Sequence, residues 1–321
     1  MGKEPQAEKK KQKLIRWQKS NVGVLYALIA PSLASIYFFG WRSLLLITVV
    51  AVAGFLTEYV FLRAYYREPV SSAVFVSSML FTLSLPPSLP VWMAVVGIVF
   101  GIALGKMAFG GFGRNIFNPA LTGRAFIYIS FGGWMNGGWL DPIGGIPGGF
   151  GTFISDAVSS ATPMAVIAGG SPVDRINLIF GNISGCLGET SALLLLLGGL
   201  YLMIKKYANY RIVVSAFAST IALNTVLRLS GAPGVIDTVS AVLGGGYMIG
   251  MLYMATDPVS ASQTTNTGRW IYGSVIGILT VIIRSFSIWP GGVMFAILTT
   301  NMFAPLLDYY MKKSKSRGNA K

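Results

Sequence analysis

The sequence predicts an all-α polytopic membrane protein of about ten transmembrane helices arranged as two inverted five-helix repeats. Three observations lead there. Of 321 residues, 53% are hydrophobic and only 11% charged, against about 25% charged in an average soluble domain. Apolar runs of roughly 17 to 22 residues, each long enough for a hydrocarbon core of about 30 Å, follow one another from Val22 to Asp308. Five runs lie on each side of one long polar loop, and an odd number per half turns the second half upside down relative to the first.

The N-terminal 20 residues hold seven basic side chains (Lys3, Lys9, Lys10, Lys11, Lys13, Arg16, Lys19) and lead into the first run without a small-residue cleavage site. Residues 1–21 are therefore read as a basic tail and 22–40 as a retained span, not a removed signal peptide. The first repeat, 22–134, continues with spans at 43–62, 70–86, 90–108 and 115–134. A loop, 135–183, carries the chain to the second repeat, 184–309, with spans at 184–204, 212–229, 235–255, 270–287 and 290–309. A second basic tail, 310–321, ends the sequence.

With the N-terminus inside, 20 of the 25 Lys and Arg residues fall on inner segments. Arg42, Arg175, Arg228 and Arg284 fall outside, and Arg124 lies within the fifth span. This split predicts a multi-pass protein of a bacterial inner membrane with both termini cytoplasmic, and it accounts for the net charge of +14 without nucleic acid. The 135–183 loop then faces outward. It is far longer than an ordinary connection, and loops of that length are functional or disordered. Its apolar side chains (Trp139, Phe150, Phe153, Ile154, Met164, Ile167) predict packing at the membrane surface.

One cysteine, Cys186, and no histidine exclude His-ligated haem and a Cys-ligated iron–sulfur cluster within this chain, and leave a poor ligand set for zinc or copper. Electron handling would need an organic cofactor. Asn115-Ile-Phe-Asn-Pro119-Ala-Leu121 matches Asn301-Met-Phe-Ala-Pro305-Leu-Leu307, as Leu85-Pro86-Pro87 matches Thr256-Asp257-Pro258, but the spacings differ, so this internal repeat is weak. Pro86, Pro119, Pro258 and Pro305 break helices inside spans and are candidate walls of a buried site.

Three segments carry candidate chemistry. Asp156-Ala-Val-Ser159-Ser160-Ala161-Thr162 presents a hydroxyl among small residues, and on chemistry alone it reads as an ordinary loop. The stretch from Phe109 to Phe126 is rich in glycine, yet no strand precedes it and a span follows, which rules against a nucleotide fingerprint. Its Asn115, Asn118 and Arg124 are either site residues or helix caps and interhelical bonds. Asp257 lies at the inner end of a broken span, as a site residue or a cap. Glu58, Glu189 and Asp308 join Asp257 as the acids best placed for an ion pathway, although Glu58 could instead pair with Arg63.

Taken in order, these segments and the ending Asn301 to Tyr309 resemble the membrane subunits of Rnf and Na⁺-pumping NADH:quinone oxidoreductase complexes, from about Ser71 onward. The resemblance implies a urea-transporter-like fold and an FMN bonded through its phosphate to Thr162. It also implies a flavin transferase that needs Asp156, with Ser159, Ser160 and Ala161 completing the motif; Ser160 stands where glycine is usual. A noncovalent riboflavin in the span region is a further cofactor that the resemblance allows, and Asn115, Asn118, Arg124 and Asp257 are candidate cofactor-binding residues. The short basic tail favours the D subunit of Rnf, coupling electron flow between ferredoxin and NAD to Na⁺ or H⁺ movement beside the Rnf A, B, C, E and G subunits. The B subunit of the quinone reductase is the alternative branch. A small-solute transporter or channel of the same fold, and a scaffold without flavin, are rivals that do not need the Thr162 motif.

Overall fold

A computed structural model describes residues 14–66, 68–154, 163–168, 174–189, 191–262, 265–287 and 292–318. In lipid a single segment satisfies its own backbone only as helix, and the described residues are mostly helical. A two-residue strand, β1 (Ile15–Arg16), pairs in parallel with β2 (Val70–Ser71). Between them lie two membrane-length helices, α1 (Lys19–Phe39) and α2 (Arg42–Phe61), the latter drawn out by a π turn to Tyr66.

The expected span at 70–86 is only half helical. α3 (Ala73–Leu83) has 11 residues, about 16 Å at 1.5 Å per residue. Pro86, Pro87 and Pro90 supply no N–H, so residues 84–90 run on as irregular chain. α4 (Val91–Gly105) is a full span with a following turn to Phe109. The span expected at 115–134 is also shorter. α5 (Pro119–Ser130) begins only after Asn118, whose Oδ1 accepts the Ala120 N–H at 3.0 Å, and Pro119 takes the first helical position. α6 (Gly132–Gly137) follows as a separate short piece.

Within the loop lie two short helices, α7 (Pro163–Ala168) and α8 (Arg175–Phe180). The expected span at 184–204 contributes α9 (Ala192–Ile204), 13 residues long. α10 (Tyr210–Leu229) is a full span. The span expected at 235–255 is broken into α11 (Thr238–Leu243), α12 (Tyr247–Ile249) and a π turn, Gly250–Met254. Gly245 and Gly246 make that break with φ of +63° and +70°, a conformation that costs glycine little. α13 (Asn266–Phe286) spans fully. α14 (Gly292–Gly318) contains Pro305 and runs past the expected limit at residue 309.

The packing plan of the first half recurs in the second. α2 packs on α4 and α4 on α5, as α10 packs on α13 and α13 on α14. α1 contacts α3, as α9 contacts α12 and the π turn; α5 contacts α3, as α14 contacts the π turn. The halves meet where α1 lies on α9 and α5 on α14. Small residues allow the close approaches, as usual between membrane helices. A Cβ on Gly101 of α4 would come within 3.0 Å of the Gly123 backbone nitrogen of α5, and one on Gly277 of α13 within 2.9 Å of Thr220 Oγ1 of α10. Outward faces carry Leu33, Leu56, Leu197 and Val226, all exposed, as lipid contact requires.

The described part of the long loop is packed, in keeping with its apolar content. The Trp41 and Arg42 N–H groups donate to the carbonyls of Thr152 (3.1 Å) and Phe153 (2.8 Å), and the Ile143 N–H to that of Phe38 (2.7 Å). Asp156, Ser159, Ser160, Ala161 and Thr162 lie outside the described residues.

Candidate functional site

Broken helices leave backbone carbonyls without partners, and the polar side chains gather around those breaks. At the end of the bundle where α1 begins, Asn118 and Asp257 come together on a cavity of about 50 Å³, with Asn21, Ser77, Phe112 and Pro258 also in its wall. Asn118 makes both bonds of the structural reading, a cap and an interhelical bond. Its oxygen caps α5, and its Nδ2 donates to the Met254 carbonyl at 3.3 Å, where the π turn ends. Asp257 caps the next turn, accepting the Val259 N–H at 3.2 Å and the Ser260 hydroxyl at 2.8 Å.

Asn301, on α14, ties the two halves. With its amide nitrogen facing the Ser260 carbonyl (3.3 Å) and the Tyr272 hydroxyl (2.5 Å), its oxygen accepts the Asn118 N–H at 3.2 Å. Of the four prolines expected to wall a site, Pro258 lines this cavity and Pro86, Pro119 and Pro305 do not. Asn115 is elsewhere: its Nδ2 closes a local turn onto the Phe117 carbonyl at 3.0 Å.

The remaining acids have partners. Glu58 does not pair with Arg63, which lies over the Tyr59 ring at 5.3 Å. Instead its Oε2 meets Lys106 Nζ at 2.6 Å, both side chains being almost wholly buried, and its Oε1 accepts the Ser71 N–H at 3.1 Å. Asp308 accepts the Ser262 hydroxyl at 2.5 Å. The Glu189 carboxylate lies over Gly246.

At the breaks on the opposite side, arginines do the capping. Arg42 donates to the carbonyls of Pro87 (3.1 Å), Ser88 (3.4 Å) and Leu89 (2.7 Å) beyond α3. Arg124 donates to the Ser84 carbonyl at 3.0 Å and lies 3.6 Å from Cys186 Sγ, away from the cavity. Arg284 donates to Ala241 (2.7 Å), Gly244 (3.3 Å) and Gly245 (2.5 Å) at the glycine break. Among the described residues its Nε is buried with no hydrogen-bond partner.

In the sequence Arg42, Lys106 and Arg284 read only as orientation charges. The signal was present, because Lys106 and Arg284 fall inside the apolar runs 90–108 and 270–287, where a charge is costly unless used. Just before α7, Thr162 and its motif end; Met164, two residues further on, is buried against the glycine break, its Cγ 3.0 Å and the Arg284 terminal nitrogen 2.9 Å from the position a Gly245 Cβ would take.

Membrane-length helices, shorter helices that end at breaks and polar groups gathered around those breaks define a polytopic membrane protein. The chain belongs to the NQR2, RnfD, RnfE family, which it matches over residues 5–317. It is 41% identical over 257 residues to the B subunit of the Na⁺-translocating NADH-quinone reductase of Ectopseudomonas mendocina, covering 76% of this chain and 61% of that one. Against the protein of the same name from Klebsiella pneumoniae (strain 342) it is 38% identical over 299 residues, covering 85% and 68%. Against that of Pseudoalteromonas atlantica it is 39% identical over 277 residues, covering 83% and 66%. The chain thus spans about three fifths to two thirds of these relatives. Their names favour the quinone-reductase branch over the D subunit of Rnf, to which the basic tail pointed.

Proposed function

We propose that this chain is the membrane subunit of an ion-translocating, NADH-linked quinone reductase, that it carries one FMN as a phosphoester on Thr162, and that both its termini are cytoplasmic. The observation that carries the reading is family membership over nearly the whole chain, joined to relatives named for that activity. The basic asymmetry of the sequence supports the orientation.

The residues beside the acceptor motif fit such a group. A phosphodiester keeps one negative charge, and Met164, two residues beyond the acceptor, lies at the glycine break beside the Arg284 guanidinium, a break that the Glu189 carboxylate shares. A bound flavin would supply one- and two-electron transfer. The chain's part is to hold it and to keep polar groups available in the bundle.

Riboflavin does not fit the cavity at Asn118 and Asp257. Small-molecule sites are about 300–1,000 Å³, whereas this one is about 50 Å³, and Asn115 and Arg124 are not on it. The cavity suits water or a small cation, with Asp257 and Asn118 offering oxygens. We assign ion passage to that point. Asp308 lies within α14 and accepts the Ser262 hydroxyl, Glu189 lies over Gly246, and Glu58 is paired with Lys106.

Purification of the tagged chain with its native partners tests this. NADH-driven quinone reduction that depends on Na⁺ is expected. Ferredoxin-driven reduction of NAD would move the assignment to the Rnf branch, and a preparation without flavin or redox activity would overturn it.

A further inference from the structure

We infer that the seam between α1 and α9 binds one anionic phospholipid, with an acyl chain in the groove between the two helices and the phosphate among Lys19, Lys205 and Lys206. The inference stands on the membrane fold and is independent of the flavin. α1 and α9 run antiparallel where the two halves meet. Tyr207, just past the end of α9, packs on Gly23 of α1, and a Cβ on Gly198 would come within 2.9 Å of the Ala27 carbonyl. Beside this contact lies a groove of about 340 Å³, walled by Tyr26, Ala27, Ala30, Leu194, Leu197 and Tyr201. Tyr26 and Leu197 are 62% and 55% exposed, so the groove opens on the outward face, where acyl chains and not water are the neighbours.

The polar groups around the groove define its occupant. The Tyr26 and Tyr201 hydroxyls make no hydrogen bond among the described residues, and a phenol in apolar surroundings needs an acceptor. Tyr201 precedes Lys205 by four residues, about 6 Å along α9, and Tyr26 follows Lys19 by seven, about 10 Å along α1. Both phenols thus lie one to two turns deeper than the lysines, as the ester carbonyls of a phospholipid lie deeper than its phosphate. Lys19, Lys205 and Lys206 are exposed and form no ion pair among the described residues. Lys206 holds a φ of +61°, at the position past a helix end where glycine is preferred. A side chain kept there against the backbone preference points to a use for its ammonium. A partner's transmembrane helix would fill the groove but leave the cations and phenols unmet, whereas an anionic phospholipid meets both.

Counting retained lipid tests this. The full chain is purified in detergent, mixed with phosphatidylglycerol or phosphatidylcholine at the same molar ratio, and the lipids held per chain are read by native mass spectrometry. The wild-type chain should retain one phosphatidylglycerol with a preference of about tenfold or more over phosphatidylcholine, the scale of two lysine contacts. Lys205→Gln combined with Lys206→Gln should remove that preference. Ala30→Trp fills the groove without altering a charge and should displace the lipid, although the lysines remain. Equal retention of both lipids by the wild type would overturn the proposal, leaving only the ordinary lipid shell. An unchanged preference in the double lysine variant would reduce those residues to orientation charges and overturn it too. Retention unaffected by Ala30→Trp, with loss of partner subunits from the complex, would assign the groove to a partner helix instead. Should the lysine variant fail to insert, Ala30→Trp, at an exposed position, decides alone: loss of the retained lipid supports the site and its persistence refutes it.

Discussion

Single residues in this protein are explained by what a charge or amide must do inside lipid. The Glu58–Lys106 pair is the clearest case. Truncating one partner leaves the other buried and uncompensated, which costs about 3–5 kcal/mol, whereas replacing both with apolar groups is often near neutral. Lys106→Met should therefore sharply lower the thermal midpoint, and adding Glu58→Met should recover much of the loss; unfolding in detergent measures both. Asp237, in the connection before α11, gives a pH signature. Burial raises its carboxyl, but the Ser240 N–H, Arg228 and Arg175 more than offset this and hold it below its ordinary value. A depressed carboxylate contributes stability that is present above its unfolded pKa, about 3.9, and lost as pH falls through the lower folded value. Asp237→Asn keeps a capping side chain but removes the charge facing Arg228 and Arg175, so it should lose about 0.2–1 kcal/mol at neutral pH, and its midpoint should depend less on pH below about 4 than the wild type's. Among site residues, Asn118 and Asp257 were legible from sequence because polar groups at a helix break have few uses. Lys106 was not, because its partner lies 48 positions away.

Among helices, the lesson is how breaks and close approaches are made. Apolar counting reads 70–86 and 235–255 as spans, and hydropathy is right that both are buried. It cannot register that Pro86, Pro87 and Pro90 withhold N–H groups, or that Gly245 and Gly246 take positive φ. Nor can it show which side chain satisfies the freed carbonyls, since Arg42 reaches residues 45 to 47 positions ahead. Arg42→Gln should destabilise the fold by about 1–3 kcal/mol, the cost of buried groups left unmet, read as a lower thermal midpoint. Close approach is sequence-legible once the period is known. Gly97, Gly101 and Gly105 recur every four residues on the buried face of α4. With Pro119 and Gly123 packed against Gly101, Gly101→Leu should separate α4 from α5, and size-exclusion chromatography should show aggregation in place of the wild-type peak.

For the molecule as a whole, the second half repeats the packing plan of the first, and the orientation is open to direct test. Cys186 is buried, so an introduced cysteine reports without background. Gly144, exposed with open space around it, suits the outer loop better than Gly148, whose φ of +62° and contact with Tyr37 would strain a side chain. An impermeant thiol reagent added outside should label Gly144→Cys and leave Lys205→Cys unlabelled; the reverse would invert the topology. The functional assignment itself depends on Thr162. Intact mass of the chain, made with and without the flavin transferase, measures it most directly. The account predicts a gain of one FMN less one water, dependent on the transferase, absent in Thr162→Ala and retained in part by Thr162→Ser, which keeps a hydroxyl. An unchanged mass with the transferase present, or the same gain in Thr162→Ala, would contradict it.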